Sequence, residues 1–523
     1  MTQVVAQILL ALASAVPPVP PAEAVAPGTP IVAIVIERHE VFDTDLPGTT
    51  AWPYRAANLL HILTKERFVR SQLLFEVGDP LTPELLEESA RILREHGFLS
   101  PVVIWARPVP GGCEVVVETH DQWTTQLGLN YGFYGRRRKA GFAVEEENLL
   151  GWGKQLILDV DREEERRTVT FRYRDPLFLG RRLRLELARS NASDGSLDAL
   201  VVESPFFSLA TRRAGLLEWQ RGRRKEWLFV DGEKAVSGSV HTRKAVFWGG
   251  LRLPGEGAVE RLRLGLFHEE VRYGAWTWSD GRPFDSPEDR TMAGVLIGFE
   301  RQPPRWIVLQ GLRGWQQQED VAVGPSWNAT AGWSLPAFGT DRRRLLVGAN
   351  GTYARQLGRW YARVNAAFSG RLESAGWVNG LAHLEAVASQ PGMQGWRGRI
   401  AGDWGHDLDR DRQVTLGADA GLRGWDPDYF DGTARLVANL EWRRQLTGEV
   451  LHLGVVGLSL FADGGRTWGA RLGEPMQRWH ANVGAGLLIE LTRASIAHIV
   501  RLEAALPDDG RGPVFLATSS SLF

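Results

Sequence analysis

The chain has 523 residues, 61 Lys+Arg against 62 Asp+Glu, and a formal net charge of −1, so it lacks the basic footprint of a nucleic-acid binder. A single cysteine, Cys113, excludes an intrachain disulfide framework and a cysteine-rich metal site. Trp (21) outnumbers Tyr (8), and 58 Gly make roughly one residue in nine, above the usual ~7%. That composition points to β-structure made outside the cytoplasm. No stretch approaches the ~18 consecutive apolar residues of a membrane helix, so a bilayer crossing requires a barrel.

Val4 to Val16 form an apolar run, followed by prolines and Ala22-Glu23-Ala24, a small-x-small cleavage pattern. The expectation is a signal peptide over 1–24, although no Lys or Arg precedes the apolar run, and a linker over 25–30. Residues 31–121 read as a small α+β domain. Ile31 to Ile36 is β-rich, and Tyr54, Ala57, Leu60 and His61 predict a helix over 53–64. Thr82 as cap and Pro83 at the first helical position open a second helix, 83–96, which Gly97 closes. Two strands follow, 101–107 and 113–118, across Pro110-Gly111-Gly112.

From residue 122 onward the pattern is dyad alternation broken by polar or Gly/Pro turns. Val169, Phe171 and Tyr173 alternate with Thr170, Arg172 and Arg174. Leu436, Ala438, Leu440 and Trp442 alternate with Val437, Asn439, Glu441 and Arg443. Trp152, Trp276, Trp278, Trp327, Trp333, Trp360, Trp377, Trp404, Trp442, Trp468 and Trp479 recur near segment ends, where interfacial aromatics belong. The alternation alone fits a soluble sandwich or a membrane barrel. The Trp distribution favours the barrel, with lipid on the apolar face and lumen on the polar one.

Two segments carry a separate physical argument. Arg423 lies between Gly421 and Gly424, which permit close backbone approach. Asp463 interrupts the apolar run Leu458 to Ala462, and an acid there points into the lumen and needs a partner. An arginine on an inward-folded loop can give it a bidentate hydrogen bond. Glu441, on the polar face of its strand, is a second acceptor.

The sequence resembles the BamA/TamA-like outer-membrane assembly superfamily, also called the bacterial surface antigen family. Arg70-Ser71-Gln72-Leu73-Leu74-Phe75, Gly78-Asp79-Pro80, Glu88-Ser89 to Leu93-Arg94 and Gly97-Phe98-Leu99 look like one copy of its periplasmic POTRA domain. Glu147 to Gly153 is similar to its early hairpin motif, Asp175-Pro176-Leu177-Phe178-Leu179-Gly180 to its D-P-x-F/L-G turn, and Ser204 to Leu209 to the next strand-start motif. Leu422-Arg423-Gly424-Trp425 resembles the tip of its lid loop, and Phe461-Ala462-Asp463-Gly464-Gly465 the strand motif that faces it. Phe523 resembles the terminal aromatic of barrel sorting signals, above a poorly apolar row of Ser521, Ser519, Ala517 and Phe515.

The resemblance implies a transmembrane β-barrel of about 16 antiparallel strands over 122–523, with an α+β periplasmic POTRA domain over 31–121. It implies insertion or translocation of proteins at the outer membrane of a Gram-negative bacterium. The expected partners are outer-membrane lipids, unfolded outer-membrane or secreted clients and accessory periplasmic proteins. Clients would pair with the edge strand at Val102, Val103, Ile104 and Trp105, and with the seam between the first strand, 123–133, and the last, 514–523. Two alternatives are a translocator of one dedicated client and a structural or pore-forming barrel.

No hydrolase elbow, phosphate loop, H-E-x-x-H or C-x-x-C occurs, and the reading carries no enzyme activity, no cofactor and no metal. Asp403, His406, Asp407, Asp409 and Asp411, like Asp426, Asp428 and Asp431, read as solvated loop acids. The runs Arg136 to Lys139 and Arg221 to Lys225 read as basic barrel ends.

Overall fold

The computed structural model describes residues 25–45, 49–134, 137–163, 166–303, 305–316, 318–451, 453–492 and 499–518. The signal-peptide segment and Phe523 lie outside them.

The N-terminal domain runs β1 (Ile31–His39), α1 (Trp52–Leu60), α2 (Glu66–Gln72), α3 (Pro83–Arg94), β2 (Leu99–Val109) and β3 (Gly112–Asp121). Its sheet has the order β1-β3-β2, with β1 parallel and β2 antiparallel to β3. Phe68, Leu93, Phe98, Leu99, Val115 and Val117 form the core. Gly97 ends α3 at φ +76°, a left-handed position that glycine adopts without strain. Thr82 does not cap α3 with its side chain; its hydroxyl turns back to the Pro80 carbonyl at 3.2 Å. The helix expected over 53–64 stops at Leu60, and α2 is an addition to the expected elements. Seven residues make two turns, too few to show periodicity, yet α2 supplies the buried Phe68 and Val69.

Residues from Thr125 onward form a closed antiparallel barrel. Among the described residues it has twenty principal strands and one two-residue strand, Pro283–Phe284, instead of about sixteen. The extra strands come from short segments of 9–10 residues, such as Lys154–Glu163, Arg167–Asp175, Arg184–Ala192 and Gly195–Ser204, joined by tight turns. Sixteen strands over residues 122–523 leave about 25 residues for each, an average that hides these hairpins, because a tilted spanning strand needs only ~9–11. Ser204 to Leu209 accordingly ends one strand and enters a turn; it does not begin a strand. The first strand, Thr125–Tyr134, meets the last, Val514–Thr518, at Tyr134↔Leu516 and Phe133↔Ala517.

The barrel is polar inside and apolar outside. Along Ile499–Pro507, Arg501 and Glu503 are buried while Leu502 and Leu506 are about half exposed. Along Ala434–Gln445, Asn439, Glu441 and Arg443 are buried and Leu440 is exposed. Phe171, Leu217, Phe247, Leu264, Ile297 and Ile400 continue the exposed belt around the wall. Such a face is stable only against another apolar phase. Trp333, Trp377, Trp404, Trp468 and Trp479 are exposed near one rim, and Trp327 and Trp396 near the other. Trp276 departs from this girdle: it is 1% exposed and packs inward with Leu228, Val236, Val240 and Val271.

Both ends of the N-terminal domain's sequence neighbourhood fix its place against one rim, here the near end. The Lys65 amide donates to the Gly151 carbonyl at 2.8 Å, and Arg182 donates to the Ser71 and Leu73 carbonyls at 2.9 and 2.7 Å. Glu88 accepts from the Leu209 amide at 2.6 Å, and Asn148 donates to the Thr64 hydroxyl at 2.7 Å. Three of the turns picked out by resemblance, around Gly151, Leu177 and Leu209, are thus the seat of the domain.

Candidate functional site: a lumen closed by two inserts

The loop between the strands Gln394–His406 and Ala434–Gln445 leaves the far end and folds back into the lumen. Its stem pairs Val414–Leu416 with Phe430–Gly432. A short turn, Ala418–Ala420, then Gly421 at φ +108° reverse the chain, and the Ala418 amide bonds to the Trp425 carbonyl at 3.1 Å. Leu422 and Trp425 bury against Ala401, Leu416 and Val437. Trp425 also meets Phe430 and His480 at ring-centroid distances of 5.8 and 5.2 Å.

This turn presents Arg423, which is 0% exposed, to the inner wall. Its Nε and Nη2 donate to the two Asp463 oxygens at 2.8 and 2.7 Å. Its Nη1 donates to Glu441 and Glu503, each at 3.2 Å. The guanidinium stacks 3.4 Å from the Phe461 ring centroid. Asp463 also accepts from Asn439 and Asn482 at 2.7 and 2.8 Å. Behind Glu441 and Glu503 stands Arg501, which donates to both at 2.7 and 2.5 Å, and Arg443 pairs with Glu441. Three guanidinium groups face three carboxylates, so the buried cluster is neutral.

The expected pairing of Arg423 with Asp463 and Glu441 is therefore present. Glu503, Arg501 and Arg443 complete it; each lies on the inward parity of an alternating strand, which is the signal that identifies them. Gly424 is required by space: a Cβ there would lie 2.9 Å from the Asn482 Cβ. Its amide donates to the Asn482 side chain at 3.0 Å.

A second insert enters from the near end. Trp306–Gln310 pairs with Gln318–Ala322, and Gly311, Leu312, Arg313, Gly314 and Trp315 lie beyond. This pentapeptide, G-L-R-G-W, is identical to residues 421–425. The repeat was open to inspection in the sequence, and only the second copy is singled out by the resemblance. The two copies do different work. Trp315 is buried against Val455, Leu488 and Ile499, and Glu490 accepts from the Trp315 and Gln316 amides at 2.5 and 3.3 Å. Gly314 is fixed by that carboxylate, since a Cβ there would lie 2.2 Å from it. Arg313 turns outward to Glu319 at 3.3 Å, while its carbonyl accepts from Arg397 and Arg443 at 3.5 and 3.4 Å. Arg443 thus contacts the near-end insert directly and reaches Arg423 of the other through Glu441.

The base of the near-end hairpin is held by α3. Arg94 makes a bidentate pair with Asp320 at 2.7 and 2.8 Å, and Arg91 lies 4.7 Å over the Trp306 ring. The edge strand β2 has no strand on its outer side among the described residues. Val102 is buried, and Val103, Ile104 and Trp105 are half-buried. The Val102 carbonyl already accepts from Arg94 at 3.3 Å, so the edge begins beside the hairpin's anchor.

Of the residues expected to be solvated loop acids, several are paired, while His406 and Asp407 are exposed. Asp409 holds Arg371 and Arg290, Asp403 holds His383 and Arg435, and Asp431 caps the amides of Arg471, Leu472 and Gly473. Among the described residues, one group has metal-ligand donors close together: His39, Glu118 and His120 in the N-terminal domain.

Neither a protein-family model nor a curated protein matches the sequence. Solved structures do resemble it. BamA from Haemophilus ducreyi lacking POTRA domains 1–3 is 14% identical, with TM-score 0.40, over 93% of this chain and 84% of that one. CdiB from Escherichia coli is 13% identical, with TM-score 0.46, over 93% and 76%. CdiB from Acinetobacter baumannii is 11% identical, with TM-score 0.41, over 94% and 73%. Each is a likeness of fold.

Proposed function

We propose that this chain is an outer-membrane barrel of the BamA/TamA-like assembly superfamily, which inserts or translocates unfolded protein clients. Its N-terminal domain is then the POTRA domain in the periplasm, and the near end of the barrel is the periplasmic end. The observation that carries the reading is Arg423. A loop that crosses back into the lumen to place one arginine among three buried carboxylates is a lid, not a solvent-exposed connection. The apolar wall supports the membrane setting, and the free edge of β2 supports recognition of clients through main-chain hydrogen bonds, which tolerate many sequences.

Two inserts entering from opposite ends support a resting state that is closed from both ends. The near-end hairpin is the one tied to the POTRA domain through Arg94–Asp320 and Arg91–Trp306. A client strand added at β2 reaches the position of Arg94, so docking and release of the hairpin are linked. The lid is held by the wall and, through Asp431, by the loop at Arg471–Gly473, and its opening requires exchange of the Arg423 pairs. Accessory periplasmic proteins have the outer faces of the POTRA domain available.

Depleting the protein and quantifying the outer-membrane proteome tests this function. Loss of several barrels identifies an insertase, and loss of one secreted protein identifies a dedicated translocator. An unchanged outer membrane and surface contradicts both.

A further inference from the structure

The strands Arg213–Val230, Glu233–Arg252 and Val259–Trp278 are the longest in the barrel, at 18, 20 and 20 residues. Their outward parity reads as layers. Leu217, Phe247 and Leu266 lie in register, all about half exposed, and form part of the apolar belt. One layer toward the far end comes the exposed Trp219. The next layer is Arg221, Arg243 and Glu270, and the one after it is Arg223, His241 and Arg272. The belt therefore gives way to cations within four residues, about 13 Å at ~3.3 Å per residue.

These side chains surround a cleft of about 340 Å³ lined by Arg221, His241, Arg243, Glu270 and Arg272. Glu270 is shared between Arg243 at 3.4 Å and Arg272 at 2.9 Å. Asp289 holds Arg272 from the flank at 3.3 Å, and Asp198, in register with Arg221, is taken by Arg189 at 3.1 Å. Arg221 and Arg223 have no carboxylate partner among the described residues. The patch thus carries surplus positive charge on a wall whose next layer is greasy.

We propose that this cleft binds the headgroup of a bisphosphorylated glycolipid in the leaflet at the far end of the barrel. The occupant follows from continuity and charge. Acyl chains of such a lipid lie on Leu217, Phe247 and Leu266, which sets its phosphates at the level of Arg221 and Arg243. The cations spread over three neighbouring strand columns, ~4.8 Å apart, and two successive layers, so the patch is wide enough for two anionic groups on one headgroup. Guanidinium groups bind phosphate bidentately. The proposal rests on the outer-membrane reading above.

The test uses the full chain in detergent, with native mass spectrometry after addition of bisphosphorylated glycolipid, the same glycolipid without phosphates, zwitterionic phospholipid or inorganic phosphate. The wild type should retain the bisphosphorylated glycolipid, and Arg221→Gln/Arg243→Gln should retain at least ten-fold less. Both proteins should keep the same heat-modifiable gel shift, which shows that the barrel is folded. Equal retention by wild type and variant, equal retention of the dephosphorylated glycolipid or the zwitterionic lipid, or retention of inorganic phosphate alone overturns the proposal. Insertion into bilayer vesicles, measured on the same samples, separates its failure from failure of the membrane-barrel reading.

Discussion

Arg423 concentrates the chemistry of the lid in one side chain. Removing it leaves Asp463, Glu441 and Glu503 with two guanidinium groups in place of three, in a region excluded from solvent. Losing one member of a buried charge pair costs about 3–5 kcal/mol. Arg423→Ala should therefore lower the temperature of the barrel's heat-modifiable transition. Arg423→Lys should recover part of the loss, because it restores the charge but not the bidentate geometry. An Arg423→Ala barrel as heat-resistant as the wild type contradicts the account of the cluster. His96 gives an independent residue-scale test in the N-terminal domain. Its ring is buried between Phe68 and Phe98, and burial pushes its pKa down to about 4. The folded domain refuses a proton that the unfolded chain accepts below about 6.5. Stability from this group is thus complete above pH 6.5 and declines as pH falls toward 4, by about 1.4 kcal/mol per unit. Amide exchange of the β1–β3 sheet should quicken over that interval, and less so in His96→Gln.

At the scale of elements, legibility followed periodicity. Strands such as Ala434–Gln445 could be read because every second residue changes character, and the lid could be read because a Gly-flanked arginine and an acid in an apolar run both need explanation. Helix α2 is too short to show a period. The hairpin Trp306–Ala322 runs from an apolar stretch, Ile307 to Leu309, into the polar stretch Gln316 to Asp320 without alternation, and only the repeated G-L-R-G-W marks it. Strand number was misjudged because tight turns at Leu150–Gly153 and Ser193–Asp194 leave little sequence between strands. The hairpin carries its own prediction. Arg94→Asp or Asp320→Arg alone should raise single-channel conductance in planar bilayers by loosening the near-end insert. The double swap should bring it back toward the wild-type value. Conductance unmoved by either single change means that the N-terminal domain does not hold the near-end insert.

For the whole molecule, the controlling feature is the inversion of polarity across one sheet. Charge on the inner face is neutralised three against three around Arg423, while the belt of the outer face that includes Phe171, Ile400 and Leu506 is apolar. That inversion accounts for the exposed tryptophans at both rims. It also explains why the lumen tolerates two folded inserts, since each brings hydrogen-bond donors to carboxylates already there. The most direct test places a nitroxide label at Leu502 or at Ala505 in a Cys113→Ser background and reconstitutes the protein in lipid vesicles. The account predicts collisions with dissolved oxygen at residue 502, little access of a water-soluble nickel reagent there, and weak access of both at 505. Strong access of the nickel reagent at 502 contradicts a wall that faces lipid.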